Sequence, residues 1–167
     1  MTMTSATFYL KIFITLCLVP MVVAQEPGDT KQQAGHVLDQ LHAAAANSDF
    51  DTYFGLYAQD AVFMGTDPDE RWSVEDLKGY ARPRFEAGNG WRYSLIERNV
   101  FVANDGQTAW FDEVLYNENL GNCRGTGVLE RRDGAWKIVQ YSLSIPIPNP
   151  VARGVVGVIR EHEQKAE

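Results

Sequence analysis

From Trp91 onward the apolar residues give up helical spacing and alternate with polar ones, as far as Ile145. Alternation of faces is the mark of half-buried strands. The pattern predicts strands over 91–102, 107–117, 123–132 and 135–145. Asn104-Asp105-Gly106 turns the first pair, and Asp133-Gly134 makes the last a two-residue hairpin. Pro146, Pro148 and Pro150 stop the sheet, because proline donates no ladder hydrogen bond. A chain of this kind has to build an antiparallel meander and then cover one face of it.

The cover lies upstream. Val37, Leu38, Leu41, Ala44 and Ala45 recur at helical spacing within 32–47. Ser48-Asp49 ends that helix and caps a short second one carrying Phe50, Tyr53, Phe54 and Tyr57. Ala61 to Gly65 reads as a short strand, and the stretch after it as a turn. Ser73-Val74-Glu75-Asp76 has the form of a capping box and opens a third helix with Leu77, Tyr80, Ala81 and Phe85, which Pro83 should kink or cut short. Helices first and strands after is an α+β plan, and 167 residues suffice for one such domain over 32–149. A polar lead-in at 25–31 and a loosely helical tail at 150–167 flank it.

Residues 1–24 read as an address. One early cation, Lys11, precedes an apolar run through Val23 that ends in Val22-Val23-Ala24. This is the layout of a cleaved secretory signal. The run is shorter than the roughly 20 residues a span requires, and Pro20 interrupts it. The expectation is a secreted or periplasmic protein with no membrane span after cleavage. Cleavage removes Lys11 and no acid, so the formal charge moves from -7 to -8. A chain that acidic has no basic face for nucleic acid. Cleavage also removes Cys17, leaving Cys123 without a disulfide partner.

The Asp-Gly turn registers the last hairpin. Glu130 then faces Lys137 as an exposed ion pair, Leu129 faces Ile138, and Cys123 faces Ser144. In that register Trp136, Ile138, Gln140, Ser142 and Ser144 share one face with Leu129, Gly127, Gly125 and Cys123. That face starts greasy and turns small and polar, so it reads as the wall of a cavity with a few polar anchors.

The order of elements, with Ala109-Trp110-Phe111-Asp112-Glu113, Gly125-Thr126-Gly127-Val128-Leu129, the stretch Arg131 to Val139 and the stretch Tyr141 to Asn149, resembles the nuclear transport factor 2-like superfamily, and within it the SnoaL-like group. The resemblance implies a cone: a strongly bent antiparallel sheet wrapped over three N-terminal helices, with a pocket at the open end and a homodimer formed through the sheet. It also implies that Trp110, Asp112, Val114 and Tyr116 face the pocket. Many relatives carry histidines at the positions matched by Gln140 and Ser142, so a histidine shuttle on the last strand is not expected here.

The scaffold serves unrelated chemistries, and three readings stay open. The first is an exported protein that binds a small, largely apolar or aromatic molecule. The second is a lyase, isomerase or hydrolase using Asp112, desolvated beside Trp110, as general acid or base. The third is an assembly module. Trp72, Tyr80 and Trp110 are assigned to the pocket wall, with Tyr116, Cys123, Gln140, Ser142 and Ser144 as further lining residues. Which of Asp112 and Glu113 points inward is open, because a bulge swaps strand parity. Cys123 reads as an inert buried thiol. His36 and His42 are not at the i, i+4 spacing of a metal pair, and no phosphate loop or serine elbow occurs, so neither metal nor cofactor is expected.

Overall fold

The computed structural model describes residues 27–166, so the expected signal segment lies outside the described residues. The first helix, α1 (Pro27–Ala46), starts within the expected lead-in. Proline and an acid, here Pro27 and Asp29, both suit a helix's first turn. Its stripe of Ala34, Val37, Leu38, Leu41, Ala44 and Ala45 is buried. Asp49 caps α2 (Phe50–Gly55) by accepting from the Thr52 amide at 3.1 Å.

Next come β1 (Tyr57–Met64) and β2 (Arg71–Ser73), a short hairpin arm where only one strand was expected. The third helix, α3 (Val74–Glu86), is opened by the expected box: Ser73 Oγ accepts from the Asp76 amide, and the Asp76 carboxylate accepts from the Ser73 amide. Pro83 does not end the helix early; it runs one turn further, to Glu86.

The meander follows as β3 (Ser94–Val102), β4 (Thr108–Asn117), β5 (Gly121–Arg132) and β6 (Ala135–Ser144). Trp91 to Tyr93 were expected in β3 but precede it as an irregular segment. The six strands form one sheet in the order β2-β1-β6-β5-β4-β3. Every pairing is antiparallel except β1 with β6, which brings the early strand alongside the last one. Helices α1, α2 and α3 cover the inner face.

The closing hairpin turns as expected, with Asp133 and Gly134 at φ 53° and 82°, the two positive angles that a type I′ turn needs. Arg132 pairs with Ala135, Glu130 with Lys137 and Leu129 with Ile138. The register then slips. Val128 pairs with Gln140, leaving Val139 as a bulge, and Ser144 lies opposite Arg124 rather than Cys123. One extra residue reverses which side chains point inward. Trp136 and Ile138 are inward before the bulge, and Tyr141 and Leu143 are inward after it. The expected Glu130–Lys137 ion pair is replaced: Lys137 donates to the Gly55 carbonyl, and Glu130 pairs with Arg132 at 2.7 Å.

After β6 a 3-10 turn (Asn149–Val151) leads into α4 (Ala152–Ala166). This helix packs mainly against that turn and leaves Val156, Val158 and Ile159 exposed. Among the described residues no helix is long and apolar enough to cross a membrane.

Candidate functional site

A cavity of about 780 Å³ opens between α1, α3, the β1–β2 arm and the inner face of β6. Its size falls within the usual range for small-molecule sites. One wall is a run of aromatic rings. Tyr141 stacks on Phe63 (5.9 Å, 5°), Phe63 on Trp72 (6.2 Å, 20°), Trp72 leans on Tyr80 (4.7 Å, 43°), and Tyr80 stacks on Trp91 (6.3 Å, 10°). Pairing of Phe63 with both Trp72 and Tyr141 across neighbouring strands sets the start of this wall.

Beneath the inner end lies Glu113, a fully buried side chain on β4. Its Oε1 faces His42 Nε2 at 2.9 Å and accepts from the Tyr141 hydroxyl at 2.8 Å. Its Oε2 accepts from Arg98 Nε at 2.8 Å. Arg98 stands directly across from Glu113 in the β3–β4 register, and its Nη1 reaches α1, at the Gly35 carbonyl (3.1 Å) and Asp39 (2.5 Å). A buried carboxylate needs partners of this kind on both oxygens.

Burial alone would push the Glu113 carboxyl up. The hydrogen bond from His42, with the charge and hydrogen bond of Arg98, outweighs it and holds the group below the ordinary carboxylate range. Burial, followed by the charge of Glu113, pushes the Tyr141 hydroxyl far up, so Tyr141 stays a donor.

Glu113 therefore accepts, and His42 must place a proton on Nε2. The other ring nitrogen, Nδ1, has no partner among the described residues. It is also not one of their two buried unpaired polar atoms, Arg98 Nη2 and Trp136 Nε1. His42 lines the cavity, so Nδ1 is open to whatever fills it. The arrangement is an imidazole whose tautomer is set by a buried carboxylate, a form suited to proton transfer.

Gly125 makes room for this cluster. A methyl group there would sit 2.5 Å from the Tyr141 hydroxyl and 2.8 Å from Glu113 Oε1. At Gly127 it would meet the Gln140 carbonyl at 2.2 Å and the Phe111 ring at 2.7 Å. The two glycines were read from sequence as open space. That space is filled by Glu113, Tyr141 and Phe111, and the cavity lies elsewhere, towards α3 and the β1–β2 arm.

Of the residues singled out from sequence, Trp72, Tyr80 and Tyr116 line the cavity. Asp112 does not. It lies on the opposite face of β4 and accepts from Asn99 Nδ2 at 3.0 Å. Trp110 shares that outer face, stacked on Phe101 at 5.7 Å. The Val139 bulge turns Gln140, Ser142 and Ser144 outward as well, away from the cavity. Cys123 is buried off the cavity, and burial raises its thiol. Among the described residues no group of three His, Cys, Asp or Glu side chains converges to hold a metal.

The inward acid, open between Asp112 and Glu113 in the sequence, is Glu113, and His42 beside it carries no sequence signal beyond its place on α1. Glu113 occupies an apolar row with Ala109, Phe111 and Leu115, which is the signal an inward acid leaves. The other row, with Trp110, Val114 and Tyr116, is equally apolar, so alternation could not choose between them.

A bent sheet over three helices with an aromatic-walled cavity defines the nuclear transport factor 2-like fold. Two solved structures are similar. One is a nuclear transport factor 2-like protein of unknown function from Pseudomonas putida, with a TM-score of 0.61 at 14% identity, covering 73% of this chain and 90% of that one. The other is a cystatin-like fold protein from Burkholderia xenovorans, with a TM-score of 0.59 at 17% identity, covering 72% of this chain and 95% of that one. No curated protein matches. The model of the SnoaL-like domain matches residues 35–148, and the chain belongs to that family.

Proposed function

We propose that this protein takes a small, planar, largely apolar molecule into the cavity and moves a proton on it, as a lyase or isomerase does. The observation behind the reading is the buried carboxylate of Glu113 under His42, at 2.9 Å from Nε2. Nδ1 takes a proton from an acidic C–H of the ligand, and the imidazolium so formed is balanced by Glu113. The imidazolium exchanges its proton with water and then protonates another carbon, which isomerises the ligand, or a departing hydroxyl, which leaves as water. His42 is the catalytic base in this scheme. Glu113 positions it, and the aromatic wall excludes water and aligns the ligand. Asp112, on the outer face, has no part in it.

The test starts with mass spectrometry of whatever co-purifies, followed by incubation in D₂O. The wild-type protein is expected to place deuterium on the bound ligand, and His42→Gln to keep binding while losing exchange by at least a hundredfold. Binding without exchange in the wild type would reduce the protein to a carrier.

The outer sheet face supports a second inference, that two copies pair through it. Phe101 and Trp110 stack there with nearly half of each side chain exposed (48% and 46%), and Val114 lies in the same sheet face. A self-complementary apolar patch suits a two-fold dimer. Light scattering should give twice the chain mass for the wild type and a monomer for Trp110→Asp. A monomeric wild type would overturn the dimer.

A further inference from the structure

The rim of the cavity carries charge that the proton-transfer scheme does not use. Arg84, in the last turn of α3, and Arg92, in the segment leading to β3, both line the cavity and are exposed. Neither makes an ion pair among the described residues. The Arg84 guanidinium lies 5.9 Å from the Trp91 ring, at the outer end of the aromatic wall. The backbone at Arg92 is pinned by Asn117 Nδ2, which donates to its carbonyl at 2.9 Å.

Two carboxylates also line this cavity. Glu70 is engaged elsewhere: it folds over Gly65 and accepts from the Asp67 amide at 3.2 Å. Glu118 sits exposed on the turn between β4 and β5. The two arginines are thus unpaired cations at the mouth of a site in a chain of net charge -7. An acidic protein that keeps unpaired guanidinium groups beside stacked rings has the parts to hold an anion there.

We propose that the ligand is a planar aromatic or polycyclic acid, with its rings along the Phe63–Trp72–Tyr80–Trp91 wall, its anionic group between Arg84 and Arg92, and its far end at His42. This rests on the pocket reading above and adds the ligand's charge and orientation to it. Arg84 and Arg92 are then specificity-determining residues, since a neutral analogue fills the same rings and leaves the cations to water.

The experiment compares 1-pyrenebutyrate with 1-pyrenebutanol, which share ring and chain and differ in charge, by pyrene fluorescence titration at low salt. The acid is expected to bind about tenfold more tightly, an advantage that fades as salt rises. The double variant Arg84→Gln/Arg92→Gln should lose that preference while its affinity for the alcohol stays unchanged. Both positions are exposed and the glutamine stems remain, so an unaltered melting curve checks the fold. Equal binding of the two probes by the wild type would overturn the anionic class and leave the pocket intact, and a preference that survives in the double variant would overturn the seat between Arg84 and Arg92. Failure of both probes to enter would overturn the pocket reading together with this one.

Discussion

Glu113→Gln is expected to lower the melting temperature by about 10 °C and to abolish proton transfer. The substitution keeps the shape and removes the charge, so Arg98 is left buried against a neutral amide. Breaking one side of a buried ion pair costs about 3–5 kcal/mol, and in a domain of this size each kcal/mol is worth about 2–4 °C. The effect depends on pH. In the folded protein the carboxyl lies below its ordinary value of 4.5, so the unfolded chain binds the proton first as pH falls. The stabilisation is fully present above the unfolded value and is lost as pH drops through the folded one. Chemical unfolding between pH 7 and pH 3 should show the wild type weakening below about pH 4.5, with part of that slope missing in Glu113→Gln. Equal stability of the two proteins at pH 7 would remove the carboxylate from the centre of the site.

Gly125→Ala should damage the sheet and the Glu113 cluster together. The added methyl would lie 2.5 Å from the Tyr141 hydroxyl and 2.9 Å from Glu113 Cγ. Both neighbours are held by hydrogen bonds and cannot turn aside without breaking them. Overpacking costs about 1–3 kcal/mol and a strained buried hydrogen bond adds about 1 more. Gly127→Ala is the informative control, because its methyl would strike the Gln140 carbonyl and the Phe111 ring instead. Both variants should melt early. Only Gly125→Ala should also flatten the acid limb of stability and slow proton transfer. A Gly125→Ala protein with wild-type melting and pH dependence would mean that the cluster has slack the geometry does not show.

The order of elements was legible because each carries its own local signal. Ser73 with Asp76 announces α3, Asp133-Gly134 announces the hairpin, and the stripe from Val37 to Ala45 announces α1. These interactions close within a few residues, so sequence spacing suffices to find them. The side of β6 that faces the cavity was not legible beyond Ile138. The Val139 bulge has no glycine or proline to mark it, and it arises where β6 must pair with β5 and β1 together. A single residue of slip exchanged Gln140, Ser142 and Ser144 for Tyr141 and Leu143. The same blindness to parity left the choice between Asp112 and Glu113 open. Arg98 and His42 reach Glu113 from β3 and α1, and no local pattern links those three positions.

The parallel contact between β1 and β6 has a consequence for how the molecule comes together. Phe63 and Tyr141 meet only when the last strand docks beside the first. Hairpins of the meander can zip up from nearby segments, whereas this joint must bridge most of the domain, and such closures are slow. The aromatic wall that begins at Phe63 and Tyr141 therefore depends on a contact between distant parts of the chain, and a molecule bound only by the folded state would stabilise that closure.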